Sequence, residues 1–487
     1  MIWKQIQHIA LQKPDDIALI GKYKTYSYSQ LVSVVYSVCL SLQIYQKKVL
    51  ALYCDNCPMW IIIDLACQKN DISLIPLPHF FSDQQLHFAT QQAGACAVLH
   101  PHSERISTLF QHTSKTPLFG DFITSEVVPK KAVELPQGTS KITFTSGSTG
   151  HPKGVCLSNQ NQLSVAQSLQ TALKLNTGKH LSVLPFSTLL ENTAGAYATF
   201  LAGGSVVALP QKELGFNGSS NFELDKFLQT ISTTMPTSMI LLPELLLALI
   251  GAIKMGWIMP SSIQLIAIGG SKVAPRLLQE ASELSLPVYE GYGLSECSSV
   301  ISLNTPDNYR LGCVGKPLKH VQVDIKENEI IVANNAFLGY TNEPTSWYQE
   351  HVRTGDLGYL DEQGFLHIYG RKKNVIISSF GRNINPEWVE SVMLSNPILK
   401  QCIIAGDQKP YCVALLYPRD SKTTDACIQT WVSLANKTLP DYAQIQRWLR
   451  LPEPLSVESE QLTSNGRPIR TAILQQHQSS IESLYTE

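Results

Sequence analysis

The 487-residue chain lacks a charge imbalance: 38 Lys and Arg stand against 39 Asp and Glu, and charged residues make up only 16%. With no net field, nothing in the charge favours nucleic acid or an acidic membrane surface. Long greasy runs are missing too. The longest, Leu245 to Ile253, is closed by Glu244 and Lys254. It falls far short of the ~20 residues that span a bilayer, and reads as a buried helix. The start, Met1-Ile2-Trp3-Lys4-Gln5, leads into an alternating polar and apolar pattern without a signal-peptide core, so a cytoplasmic location is expected. The eleven cysteines are scattered, and Cys54-Asp55-Asn56-Cys57 is the only CxxC pair. With no second pair to complete a zinc site, reduced thiols are the expectation. Repeats and low-complexity tails are absent as well.

What is present is a globular composition, 44% hydrophobic, on a chain long enough for two or more domains. Short runs rich in Ile, Val and Leu alternate with amphipathic stretches, as in βαβ proteins with mostly parallel sheets. Strands are expected at 49–53, 97–99, 141–144, 181–184 and 263–268, and a helix over 84–92 ending near Gly94. The texture changes at Arg371-Lys372-Lys373-Asn374, a polar break between two apolar runs. A boundary at Lys373 leaves a C-terminal unit of about 115 residues, an ordinary size for a small domain.

The stretch Thr143-Phe144-Thr145-Ser146-Gly147-Ser148-Thr149-Gly150-His151-Pro152-Lys153-Gly154-Val155 carries the most chemistry. Hydroxyls and glycine backbone N–H groups crowd one loop after a strand, a nest suited to polyphosphate oxygens, and Lys153 adds a positive charge. It is not a Walker A loop, because Pro152 stands five positions after Gly147 where that pattern needs Gly. The plainer alternative is a Ser/Gly-rich surface turn. The stretch resembles the phosphate loop of the acyl-adenylate-forming enzymes: acyl-CoA synthetases, luciferases and peptide-synthetase adenylation domains. The resemblance implies that Thr145, Ser146, Gly147, Ser148, Thr149 and Gly150 bind nucleotide and that Lys153 acts in catalysis.

Further segments carry the same resemblance. Gly269-Gly270-Ser271 follows an expected strand and lets a flat ring approach the backbone, though a plain turn also explains it. Tyr289-Glu290-Gly291-Tyr292-Gly293-Leu294-Ser295-Glu296 resembles the family's Tyr-Gly-x-Thr-Glu motif. There Tyr292 would pack on adenine, with Gly293 beside it, Ser295 would meet the α-phosphate, and Glu296 would hold Mg²⁺. Arg353-Thr354-Gly355-Asp356 and Gly370-Arg371 match the ribose-binding pattern, since a carboxylate accepts from two adjacent hydroxyls. Asp356 and Arg371 take those roles. Lys373 falls on the family's hinge position, and the loop around Gly381 resembles the one that faces the pantetheine arm after rotation. Asn385 is expected to start a helix with Pro386 in its first turn.

Two departures stand out. The family's catalytic Lys near the C-terminus is replaced by Arg467 in Asn465-Gly466-Arg467. Arginine keeps the cation that stabilises charge during adenylation, with a planar geometry. In Leu184-Pro185-Phe186-Ser187-Thr188-Leu189-Leu190-Glu191, which is similar to the long-chain acyl-CoA synthetase version, Thr188 stands where His is usual. Phe186, Thr188 and Gly381 would border the acyl and thiol sites. The resemblance implies an α/β fold, with a large N-terminal domain (1–372) of mostly parallel sheets and packed helices, and a small mobile C-terminal α+β domain (373–487). The implied reaction joins a fatty acid to ATP with Mg²⁺, giving acyl-AMP and pyrophosphate, then passes the acyl group to CoA. The alternatives are transfer to the phosphopantetheine of an acyl carrier protein, or a nucleotide- and acyl-binding pseudoenzyme disabled at Arg467.

Overall fold

The computed structural model describes residues 1–110, 117–145, 153–217, 221–270, 273–463 and 466–486. Two large sheets dominate it. One has nine strands among the described residues, with Val288–Leu294, Leu265–Ile268, Ser238–Leu241, Lys179–Leu181, Ser205–Ala208 and Ile17–Gly21 parallel at its centre. The other has seven, with Lys141–Thr145, Ser73–Leu77, Val49–Tyr53 and Ala97–Pro101 parallel and the flanking strands antiparallel. Helices cover them, as parallel strands require, because such strands are apolar on both faces. A four-stranded antiparallel sheet, from Gln322–Lys326 to Leu366–Arg371, follows.

Beyond it a smaller unit folds around its own core of Val389, Met393, Ile404, Leu416 and Trp431. Its three-stranded sheet pairs Leu399–Ala405 and Ile445–Arg450 with Cys412–Pro418 between them. The helix Pro386–Leu394 begins as the sequence suggests: Asn385 is its cap, its side chain accepting from Glu387 N, and Pro386 opens the first turn. The architecture is thus mixed α/β, with a large N-terminal sheet domain and a smaller C-terminal one. The run Leu245–Ile253 lies within the helix Pro243–Lys254, and no described helix is long and apolar enough to cross a membrane.

Two expected strands are shorter than their apolar runs. The strand expected over 181–184 is Lys179–Leu181 and stops there. From Leu184 on the backbone bonds to side chains: Leu184 N donates to Glu191 Oε2 at 3.0 Å, and Asn56 takes both Leu184 O and Phe186 N, each at 2.8 Å. The strand expected over 263–268 begins at Leu265, since Ile263 N closes a turn onto Pro260 O.

Where the seven-stranded sheet meets its helices lies a buried charge. Lys141 and Asp64 are each 1% exposed, with Nζ 3.0 Å from Oδ1. Lys141 also donates to Asn192 Oδ1 and, at 3.0 Å, to Tyr197 OH, which itself bonds Asp64 Oδ2. Gln68 Nε2 donates to the same phenol at 2.7 Å. Asp64 and Gln68 sit on the helix Pro58–Lys69, Asn192 and Tyr197 on the π-helical segment Leu190–Tyr197, so three elements meet on one ammonium. An ion pair taken out of water is held by such surrounding bonds, and breaking one half leaves a bare charge. Lys141→Met should therefore cost about 3–5 kcal/mol in denaturant unfolding, and Lys141→Met with Asp64→Leu should recover most of it. Equal losses in the single and double variants would show that the pair is not the stabilising element.

Candidate active site

The strand Lys141–Thr145 turns back into the antiparallel strand Lys153–Leu157, with Thr145 opposite Lys153. Ser146, Gly147, Ser148, Thr149 and Gly150 lie outside the described residues, as does Ser271. The strand Gly339–Tyr340 pairs beside Lys153–Leu157, Tyr340 opposite Val155. That register sets the Tyr340 ring under the Lys153 ammonium, 4.5 Å from Nζ to the ring centroid. Glu343 Oε1 lies 3.0 Å from the same ammonium. On its other side Tyr340 OH donates to Glu296 Oε1 at 2.9 Å. Burial, then the Glu296 charge, pushes the Tyr340 phenol pKa up, so it remains a neutral donor. Tyr340 therefore links the candidate phosphate-loop lysine to the candidate Mg²⁺-holding carboxylate.

Glu296 stands in the 3₁₀ turn Ser295–Cys297, directly after the strand Val288–Leu294, and its backbone carbonyl accepts from Phe337 N at 2.8 Å. Ser295 opens that turn. Gly293 has no room for a side chain, since a Cβ there would lie 1.7 Å from Ser299 O. Tyr292, one residue earlier, donates from its hydroxyl to Asp356 Oδ2 at 2.6 Å.

Asp356 and Arg371 face each other across the antiparallel strands His351–Leu360 and Leu366–Arg371. The Arg371 Nε to Asp356 Oδ1 distance is 2.8 Å. Asp356 is 4% exposed, and burial raises its pKa against the opposing pull of the Arg371 guanidinium and the Tyr292 hydroxyl. The three residues form one hydrogen-bonded group.

Arg467 reaches this group from the C-terminal unit. Its Nη2 donates to the Gly270 carbonyl, and its charge lies within reach of Asp356, Glu296 and Arg371. The turn carrying it is fixed by Thr463, whose hydroxyl accepts from Arg467 N at 3.0 Å. Gly270 has φ +87°, a left-handed conformation that glycine adopts without strain, and Gly269 faces Gly291 O, 3.1 Å from where its Cβ would be.

Other expected residues lie apart from this group. Phe186 is 1% exposed and tilted against Trp60 with centroids 5.4 Å apart, a core position. The Thr188 hydroxyl donates to Pro185 O at 2.8 Å and closes a local turn. Gly381, at φ +71°, sits on a loop bonded within the C-terminal unit, Ser379 N donating to Lys409 O at 2.9 Å. Lys373, in the short turn Lys372–Asn374, is the exception: its ammonium lies within reach of the Arg371 and Asp356 charges, and burial and then Arg371 lower its pKa.

Sequence reasoning missed Tyr340 and Glu343. They stand 44 residues from Glu296 and 190 from Lys153 respectively, so only sheet register joins them. No group of three or more metal-ligating side chains occurs among the described residues. A single carboxylate such as that of Glu296 would suit Mg²⁺, an ion that takes most of its ligands from phosphates and water.

Comparison with known proteins agrees over nearly the whole chain. Residues 6–335 match the family described as AMP-binding enzyme, and residues 373–487 match the AMP-binding enzyme C-terminal domain. A 2-succinylbenzoate–CoA ligase from Bacillus pumilus is 27% identical over 433 residues, 82% of this chain and 84% of the relative. A long-chain-fatty-acid–CoA ligase from Mycobacterium bovis is 30% identical over 252 residues, 45% of this chain and 41% of the relative. In fold, the chain is similar to the O-succinylbenzoate coenzyme A synthetase of Bacillus subtilis, solved with ATP and a magnesium ion. The TM-score is 0.76 at 23% identity, covering 96% of this chain and 98% of that one. An anthranilate CoA ligase solved with anthranoyl-AMP gives a TM-score of 0.81 at 16% identity, covering 97% and 96%. The first family match alone takes in more than half of the sequence, and the chain belongs to the AMP-binding enzyme family.

Proposed function

We propose that this enzyme activates a carboxylic acid with ATP and transfers the resulting acyl group to CoA. The observation that carries the reading is Arg467 on the Gly270 carbonyl, beside the Tyr292–Asp356–Arg371 group. A cation from the C-terminal unit stands where charge develops as a carboxylate oxygen attacks the α-phosphorus and pyrophosphate leaves. A fixed cation supplied there lowers the barrier without reorganisation. Asp356 accepts from the ribose hydroxyls, and Tyr292 offers its ring to the adenine. Mg²⁺, when bound, neutralises the polyphosphate. Glu296 holds it, and the Tyr340 hydroxyl fixes the direction of that carboxylate. Lys153 and the loop before it, Thr145 to Gly150, cradle the phosphates.

In the second step the CoA thiol attacks the acyl carbon and AMP leaves. For that step we infer rotation of residues 373–487 at Lys373, carrying Arg467 out and the Gly381 loop in. Arg467 on the Gly270 carbonyl, with nothing within 4 Å of where a Gly381 Cβ would stand, supports this order of events.

The acid is the finer question. Relatives matched over 82–85% of this chain are named for 2-succinylbenzoate, whereas the fatty-acid relative matches 45%. An aryl acid therefore precedes the fatty acid that the 184–191 segment suggested. Pyrophosphate release from Mg-ATP should depend on an added acid, peak with an aryl acid such as 2-succinylbenzoate, and rise with CoA but not with a carrier protein. A peak at one fatty chain length would return the acid to the fatty class, and no release with any acid would favour a pseudoenzyme.

Arg467→Ala should lower acid-dependent pyrophosphate release about 10²–10³-fold while calorimetry still detects nucleotide binding. An unchanged rate would remove Arg467 from the mechanism. Tyr340→Phe frees the Glu296 carboxylate, so the Mg²⁺ concentration for half-maximal rate should rise several-fold with the KM for acid unchanged. A shift in acid KM alone would place Tyr340 elsewhere in the reaction.

A further inference from the structure

The strand Val49–Tyr53 ends just before Cys54, and Cys57 caps the twelve-residue helix Pro58–Lys69. Their sulfurs lie 3.5 Å apart. Cys54 is buried and Cys57, at the helix start, is the less buried of the two. The residues between them have their own partners. Asp55 accepts from Gln211 N, at 3.1 Å to Oδ2, and Gln211 Nε2 donates to Val183 O at 3.0 Å. Asn56 clamps Leu184 O and Phe186 N, each at 2.8 Å. The four-residue segment is thus the anchor of residues 183–186, the segment that leads to Thr188.

We propose that Cys54 and Cys57 form a reversible dithiol–disulfide site. It is closed by exchange with a low-molecular-weight disulfide, and its closing disturbs the Asn56 clamp on residues 184–186. Any consequence for acid use rests on the ligase reading above, whereas the site itself does not. The Cys57 thiol is held below the ordinary range by its contact with the Cys54 sulfur, against the opposing effect of burial, and the Trp60 and Met59 amides of the helix start add to the lowering. The Cys54 thiol, which donates to Asp55 O at 3.2 Å, is pushed up by its contact with Cys57 and by burial. Cys57, the less buried of the two and placed at the N-terminus of the helix, is the attacking sulfur.

Its thiolate attacks one sulfur of the small disulfide, forming a mixed disulfide and releasing one small thiolate. The Cys54 proton passes to solvent or to that thiolate. The Cys54 sulfur then attacks Cys57 Sγ and expels the second small thiol. Two protein thiols are oxidised and one small disulfide is reduced to two thiols. The sulfurs close from 3.5 Å to a bond of about 2.05 Å, and the bond from the Cys54 thiol to the Asp55 carbonyl, next to Asn56, is lost with its proton.

The test uses the full chain in mixtures of oxidised and reduced glutathione, followed by alkylation and peptide mass mapping. The peptide holding residues 54–57 should become about 2 Da lighter as one unit and regain both thiols with dithiothreitol. Exchange of the Phe186 amide, the one that donates to Asn56, should quicken about tenfold in the disulfide form, and Cys57→Ser should abolish both changes. If catalysis is present, the KM for acid should rise several-fold on oxidation and the KM for ATP should stay constant. Free Cys54 and Cys57 in excess oxidised glutathione, with the exposed Cys427 fully converted, would overturn the site. A disulfide that leaves amide exchange unchanged would overturn the coupling through Asn56. Neither readout needs turnover, so a failure of the ligase reading is distinguishable from a failure of this one.

Discussion

The arrangement depends on one buried ammonium. Lys141 begins the strand that ends at Thr145, so whatever fixes Lys141 fixes the entry to the candidate phosphate loop. Asp64 fixes it from one helix, Asn192 and Tyr197 from the π-helical segment. A charge at 1% exposure cannot slide along a sheet as an aliphatic side chain can, because every displacement uncovers it from its partners. The network makes register a matter of electrostatics, and the Thr145–Lys153 pairing follows from it.

From that register the site assembles outward. The strand Lys153–Leu157 carries Lys153, its neighbour carries Tyr340, and Tyr340 reaches Glu296 at the end of the other large sheet. The four-stranded sheet contributes Asp356 and Arg371 as cross-strand partners, and Tyr292 ties them to the nine-stranded sheet. The charged groups therefore come from three sheets whose edges converge, and the C-terminal unit adds a cation from outside.

The sequence is most legible where chemistry and conformation are local. Gly270 needs a left-handed φ and Gly293 has a carbonyl where a side chain would sit, so those glycines mark their own importance. The parallel-sheet architecture follows from apolar runs of strand length, and the Asn385–Pro386 helix start from capping chemistry. Long-range register leaves no local trace, which is why Tyr340 and Glu343 escape notice. The end of the strand at Leu181 is hidden for a related reason. Leu184 looks like a strand residue until Asn56 and Glu191, from elsewhere, take its backbone bonds.

Arginine at position 467 changes what the C-terminal cation is. A lysine ammonium is a rotating point of charge that finds an anion by reach. A guanidinium is a flat fork, and once one tooth is on the Gly270 carbonyl the directions of the others are set. The aim of the cation then becomes a property of the backbone at residue 270, whose φ of +87° suits glycine. Charge delivered from the small unit is thus steered by the main chain of the large one, so two distant positions in the sequence act as one geometric instrument.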